Sequence, residues 1–533
     1  MRAVTLELGA RPRCDGALRS YSAPVRIAAV DMGTNSFHLL AADAHPDGTF
    51  VPLVREKEML RLGDVVSREH RITERAADAA VATMRRFKTM ADGLECEEFV
   101  ACATSAIREA ENGSELVDRI REEAGTEVRV ISGRDEARLI FAAVRASVVI
   151  EPAPALCFDL GGGSLEVTVG DAGGLLWSTS VKLGVARLTA ELVENDPLSE
   201  EDVRRLRKRL TSVLAPLASD VADLEPRLVV GTSGTLCDIG RMVAARTGEP
   251  ATTVNQLRVR KDDVRALHKD LLERTAAERK KLPGLEPRRA DLIPAGSMML
   301  VTAMDLFGFD ELVLSDWALR EGIILDAIGH HDPAEWMPDP RALRGASVLN
   351  LARRCSWGEA HARQVAFLAG DLFDHTLRLH KLSGDDRELL EYAALLHDIG
   401  EHVSTEGHHR HTAYLIQNGR LRGFDPEEVL ALASVARYHR GEPKASHEPF
   451  GSLTPERQER VTKLAAILRL ADGLDRGHSA AVEGIDVTVD DARVEIEVRS
   501  AGDVELELWG ARRKRALFER SFDRRVEVVA RSS

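Results

Sequence analysis

A strand that ends in aspartate and turns back through glycine and small polar residues makes a pocket for an anion, and this chain contains that arrangement twice. Val30-Asp31-Met32-Gly33-Thr34-Asn35-Ser36-Phe37 and Phe158-Asp159-Leu160-Gly161-Gly162-Gly163-Ser164-Leu165 share the pattern apolar-Asp-apolar-Gly-x-x-Ser-apolar, 128 positions apart. Glycine lets backbone N–H groups approach an anion, and the side chains of Thr34, Asn35, Ser36 and Ser164 add donors. A carboxylate at the strand end can hold a divalent cation on the same anion. Glu166 lies seven residues beyond Asp159, across the turn, so both can line one mouth and share a Mg²⁺ or its waters. Two such turns facing each other would grip a phosphate chain.

Phosphoanhydride hydrolysis needs two further groups, one to orient or deprotonate water and one to neutralise charge on the oxygens. Glu136 stands in the first turn of an expected helix just before the second hairpin; it is either the base or an acid that merely complements the helix dipole. Arg108 follows the strand Glu98 to Ala103, as a phosphate-binding arginine or a surface ion-pair partner. A third strand and turn, Leu228 to Thr235, brings Gly231, Ser233 and Gly234. A separate group consists of His361, the doublet His397-Asp398 and Asp472, nitrogen and carboxylate donors suited to a hydrolytic transition metal.

The elements that must position these groups follow from periodicity. Each hairpin lies between apolar runs rich in β-formers, Ile27 to Val30 with Phe37 to Ala41, and Leu156 to Phe158 with Leu165 to Val169. Helical spacing covers Glu74 to Met90, Gly113 to Glu123, a segment capped by Ser132, Ser199 to Leu217 capped by Ser199, and Leu319 to Ile328. The proline-rich stretch Asp332 to Pro340 marks the main boundary. Residues 341–480 read as almost wholly helical. In residues 481–533 the runs Ile485 to Val489, Val494 to Val498, Val504 to Leu508 and Phe522 to Val529 alternate and read as a small β-rich appendage.

A length of 533 residues calls for several cores. With 86 acidic against 72 basic residues, a surface given over to nucleic acid is excluded, and 4% aromatic content leaves little to stack bases on. The basic clusters Arg204–Arg209, Arg279–Lys281 and Arg512–Arg515 either line a local path for a polyanion or are solvated helix faces. Six cysteines without metal spacing suggest a reduced, cytoplasmic protein. The longest uncharged apolar stretch, Leu292 to Met304, is too short to span a membrane. Residues 1–24 read as a disordered extension or as sequence upstream of the natural start.

Residues 25–330 resemble the exopolyphosphatase and guanosine pentaphosphate phosphatase (Ppx/GppA) family. The resemblance rests on Ala29 to His38, Ala103 to Arg108, Ile131 to Phe141, Phe158 to Glu166, Gly231 to Thr235 and Leu314 to Gly322. It implies an α/β fold of two actin/hexokinase-like (ribonuclease H-like) half-domains, residues 25–148 and 149–330, closing over phosphate. It also implies Glu136 as the base, Asp159 and Glu166 as organisers of Mg²⁺, and Gly161 to Ser164 as the phosphate loop. Asn35, Ser36 and Arg108 would then contact substrate phosphate, and Asp31, Gly33, Thr34, Gly231, Ser233 and Gly234 would line its path. Residues 341–480 resemble the HD-like helical domain of long family members, with His361, His397, Asp398 and Asp472 holding a second divalent transition metal.

The expected function is release of terminal orthophosphate from inorganic polyphosphate by metal-assisted attack of water, in a homodimer that uses neither nucleic acid nor membrane. Alternatives are a guanosine pentaphosphate 5′-phosphohydrolase, a quiet polyphosphate or nucleotide sensor, and an HD-type phosphohydrolase.

Overall fold

The computed structural model describes residues 24–45, 49–150, 153–249, 253–331 and 340–531. The expected N-terminal extension, save Pro24, and the expected boundary at Asp332 to Pro340, save Pro340, lie outside the described residues.

The repeated motif sits in two copies of one sheet. The first contains β1 (Val25–Met32), β2 (Ser36–Ala44), β3 (Phe50–Met59), β4 (Glu98–Ala103) and β5 (Val128–Val130), in the order β3-β2-β1-β4-β5. The second contains β6 (Ala155–Leu160), β7 (Leu165–Asp171), β8 (Gly174–Val181), β9 (Leu228–Thr232), β10 (Arg258–Arg260) and β11 (Glu311–Leu314), in the order β10-β11-β9-β6-β7-β8. In both, the motif-bearing strand pairs antiparallel with the next strand and parallel with the strand that follows the crossover. The second sheet merely adds β10 at its edge. Ile27 to Val30 and Ala155 to Phe158 are buried throughout, which is why they read as unbroken apolar runs: helices cover both faces. This is the actin/hexokinase-like half-domain, present twice.

The halves interlock. Helix Gly133–Arg145, the last element of the first half, packs on β7 and β8 of the second; helix Leu319–His331 returns to pack on β1 and β2. The two helices also cross each other, and a Cβ on Gly322 would stand 2.1 Å from the Leu139 carbonyl oxygen. Only glycine permits that approach.

Beyond the lobes, helices from Pro340–Arg354 to Pro455–Gly473 share one continuous core with a sheet of β12 (Gly484–Val489), β13 (Arg493–Arg499) and β14 (Arg525–Ala530). The expected strand at Val504 to Leu508 is instead the start of helix Glu505–Lys514. Its Val-x-Leu-x-Leu alternation is too short to decide the period. Leu508 and Ala511, three residues apart, supply the buried stripe, and Ala511 lies against Gly473, whose added Cβ would meet the Ala511 Cα at 2.8 Å. This unit docks on the lobes through Arg422, which pairs with Asp316 and lies 4.8 Å over the Trp317 ring. Trp317 in turn stacks on Phe50 at 4.8 Å.

Among the described residues no helix is long and apolar enough to cross a membrane. The stretch Leu292 to Met304 falls in helix Ile293–Leu306, buried in the second lobe.

Candidate active site

Both hairpin turns open into one cavity of about 740 Å³ between the lobes. Each is closed by the same hydrogen bond: Gly33 N–H donates to the Ser36 carbonyl and Gly161 N–H to the Ser164 carbonyl, both at 3.1 Å. The loop carbonyls are tied from behind by the chain entering the next helix. Gly63 donates to Thr34, while Leu60 and Arg61 donate to Asn35; in the second copy Val185 donates to Gly161, Ala186 to Gly162 and Gly184 to Gly163. A trans peptide points its N–H opposite its C=O, so the amides of Asn35, Gly162, Gly163 and Ser164 are turned the other way, toward the cavity they line. The same device has been built twice from the repeated sequence. The loop tips touch: a Cβ on Gly162 would lie 3.0 Å from Asn35 Cγ.

Ser36 is held by a histidine that sequence reasoning did not assign. Arg320 Nη1 donates to His38 Nδ1 at 3.1 Å, leaving the ring proton on Nε2, which lies 2.7 Å from Ser36 Oγ. Burial and the nearby Arg320 keep His38 neutral, well below its ordinary range. Ser36 Oγ therefore accepts from His38 and keeps its own proton for an anion in the cavity.

Asp159 and Glu166 are directly opposite on β6 and β7, which puts both side chains on one face. Glu166 is held by Ser180 Oγ at 2.7 Å. Glu136 opens the helix Gly133–Arg145, whose N-cap Ser132 accepts from the Asp135 amide. Its carboxylate receives Arg108 Nη1 at 3.2 Å, and the same nitrogen donates to the Ile131 carbonyl at 2.7 Å. Arg108 thus positions Glu136; it is not among the residues lining the cavity. Burial, reinforced by Glu166, raises Glu136 well above the usual carboxylate range against the pull of Arg108. Burial also pushes Asp31 up to about 7 and Asp159 well above its ordinary value. Four clustered, water-poor carboxylates of this kind fit a divalent cation.

A linkage follows from these directions. The unfolded chain ionises these carboxyls near pH 4, whereas the folded protein keeps a proton on Asp31 up to about pH 7 and holds that of Asp159 well past its ordinary range, so stability falls as pH rises from about 4 toward 7. A cation that replaces the protons restores it. The rise in melting temperature caused by Mg²⁺ is expected to be at least about twofold larger at pH 8 than at pH 5. Thermal melts with and without Mg²⁺ at both pH values check this; an increment independent of pH contradicts it.

Asp31, Gly33, Thr34, Asn35, Ser36, Glu136, Asp159, Gly161, Gly162, Gly163, Ser164, Ser233 and Gly234 all line the cavity. Gly231 does not: it lies inside β9, where a Cβ would meet the Leu312 side chain at 2.8 Å. Glu166, opposite Asp159 on the neighbouring strand, is 2% exposed and not among the lining residues. The cations facing the cavity are Arg55, Lys57, Arg241, Arg289, Arg320 and, from the helical unit, Arg420. None belongs to the basic clusters singled out in the sequence. Arg279 is buried in an ion pair with Asp196, and Lys514 pairs with Asp472. The cavity cations escape notice because they are scattered along the chain; only Arg55 and Lys57, alternating on β3, carry a local signal.

The sequence pattern of the Ppx/GppA phosphatase family matches residues 42–331. The chain belongs to the Ppx/GppA phosphatase family. Domain III of the Ppx/GppA phosphatases matches residues 343–508. Exopolyphosphatase 1 of Mycobacterium tuberculosis is 35% identical over 343 residues, 64% of this chain and 98% of that protein. The crystal structure of an exopolyphosphatase from Cytophaga hutchinsonii superposes with a TM-score of 0.54 at 31% identity, covering 57% of this chain and 98% of that one. The Aquifex aeolicus Ppx/GppA family member gives 0.51 at 27% identity, over 58% and 99%. The doubled sheet and paired loops are therefore those of a Ppx/GppA phosphatase.

The helical unit also brings its expected residues together. His361, His397 and Asp398 form one group of possible metal donors, with Asp472 Oδ1 4.0 Å from His361 Nε2. Two residues that were not assigned, His408 and His439, form a second group with Asp398.

Proposed function

We propose that this chain is an exopolyphosphatase that removes terminal orthophosphate from inorganic polyphosphate. The observation that carries the reading is the contact of the two loop tips across one cavity whose wall holds the buried, proton-avid Glu136. Loop amides and Ser36 grip neighbouring phosphoryl groups. Glu136, fixed by Arg108, orients a water for in-line attack and takes its proton, for which its raised affinity suits it. Mg²⁺ held by Asp159 and Glu166 would supply charge neutralisation at the phosphoryl oxygens. The spread of Arg55, Lys57, Arg241, Arg289, Arg320 and Arg420 along the cavity suits a substrate that is anionic along its whole length.

Guanosine pentaphosphate is the nearer alternative. Among the described residues lining the cavity none is Phe, Tyr or Trp, so a purine finds no aromatic platform there. Wild-type protein is expected to release phosphate from long-chain polyphosphate with kcat/KM at least about tenfold above that for guanosine pentaphosphate. The reverse ranking would assign the nucleotide as substrate. The double variant His397→Ala/Asp398→Ala is expected to keep this release; its loss would move the reaction to the helical unit.

The reading includes a reduced cytoplasmic location, which the five unpaired cysteines among the described residues support. It also includes a homodimer, supported by Phe367, Leu377 and Tyr414 standing about half or more exposed on the helical unit. Light scattering on the purified chain tests the latter.

A further inference from the structure

Four histidines in the helical unit are oriented in the same way. His361 Nδ1 lies 2.8 Å from Asp475 Oδ2, and the Nδ1 atoms of His397, His408 and His439 lie 2.8, 3.0 and 2.6 Å from the carbonyl oxygens of Ala394, Thr405 and Ala436. A carbonyl or carboxylate oxygen only accepts, so each Nδ1 carries a proton, and each ring in its neutral form presents a lone pair at Nε2. All four Nε2 atoms converge on Asp398. His408 and His439 Nε2 are 3.0 Å apart and lie 3.2 and 3.3 Å from Asp398 Oδ1, a triangle of three acceptors. On the other side, His397 and His361 Nε2 stand 3.3 and 3.8 Å from Asp398 Oδ2.

These atoms are cut off from water. The four rings are at most 6% exposed, and His361 Nε2, His397 Nε2 and Asp398 Oδ1 have no hydrogen-bond partner. With all four rings neutral, lone pairs facing one another repel, and such buried acceptors are met only by a proton or a metal ion placed between them. A cation at the centre of each group reverses the sign of both terms. Ligands on a small divalent ion with bonds of about 2.0–2.1 Å stand about 3.0–3.4 Å apart, which the Asp398–His408–His439 triangle already satisfies.

We propose that the helical unit holds two divalent transition-metal ions bridged by Asp398. One is bound by His361, His397, Asp472 and Asp398 Oδ2, the other by His408, His439 and Asp398 Oδ1. Imidazole-rich donor sets favour Mn²⁺, Fe²⁺, Co²⁺, Ni²⁺ or Zn²⁺ over Mg²⁺. The pair is independent of the cation site in the cleft: its ligands come from other elements, and its existence does not depend on the polyphosphate reading.

Metal content and EPR of the full chain test the proposal after chelation and reloading with Mn²⁺. Wild type is expected to give an exchange-coupled spectrum and to bind two more ions per chain than Asp398→Ala. A double variant His408→Ala/His439→Ala is expected to lose one ion and the coupling while keeping the other. Glu136→Gln is expected to retain both ions and the coupled spectrum. Spectra of isolated Mn²⁺ only in wild type, or equal metal content in wild type and Asp398→Ala, overturns it. Asp398→Asn, which keeps the side-chain volume, serves where the alanine variant does not fold, and the wild-type spectrum decides the question without any variant.

Discussion

Glu136→Gln is expected to lower phosphate release from long-chain polyphosphate by about 10²–10⁴-fold, the usual worth of a positioned general base. The substitution keeps the shape and the contact with Arg108 Nη1 while removing the carboxylate's capacity to accept a proton. KM is expected to stay near its wild-type value, because the loop amides and Ser36, not Glu136, hold the phosphates. The variant is also expected to be no less stable than wild type at pH 8. Burial and Glu166 oppose ionisation of this group, so the neutral amide avoids a penalty that the carboxylate bears once the pH exceeds its raised value. Steady-state kinetics and thermal melts read both effects; retention of kcat within a few-fold would remove Glu136 from the mechanism.

Gly184→Ala is the second substitution with a large expected effect, although the residue touches no substrate. Gly184 has φ −64° and ψ 149°, a conformation open to any residue, so the backbone carries no penalty. The added methyl, however, would lie 2.3 Å from the backbone carbons of Gly162 and Gly163. Backbone cannot swing aside as a side-chain tip can. The phosphate loop must shift, and a displacement near 1 Å costs about 10²-fold in rate. Gly93→Ala, a glycine substitution with open space around the new methyl, is the matching control and is expected to leave activity unchanged. Kinetics on both variants, with circular dichroism to show retained fold, decides the matter: equal rates would mean that the loop geometry is not critical.

The lobes and their loops are legible in the sequence because the signal is local and doubled. Asp31 to Ser36 and Asp159 to Ser164 each carry their turn chemistry within a few residues, and Ser132 and Ser199 mark helix starts by their own hydrogen bonds. What escapes is whatever depends on distant parts of the chain. His38 acquires its role from Arg320, which lies 282 residues away, and Arg420 reaches the cavity from a different unit. His408 and His439 have no characteristic spacing; they become partners because the helices that carry them pack together. Gly231 misleads in the opposite direction: it belongs to a motif by sequence, but its position is inside a strand, where close packing against Leu312 explains it. The strand expected at Val504 fails for a related reason, since two alternating leucines say nothing about which neighbour will bury them.

The crossed pair of helices, Gly133–Arg145 and Leu319–His331, gives the duplication an asymmetry of ownership. Each lobe is roofed by a helix that the other lobe's stretch of chain supplies, so neither copy of the repeated unit is complete in its own sequence. Leu139, at the point where the pair meets Gly322, is one turn along the same helix from Glu136. A side chain added at Gly322 would therefore press on the Leu139 backbone and be felt at the proton acceptor through the helix they share.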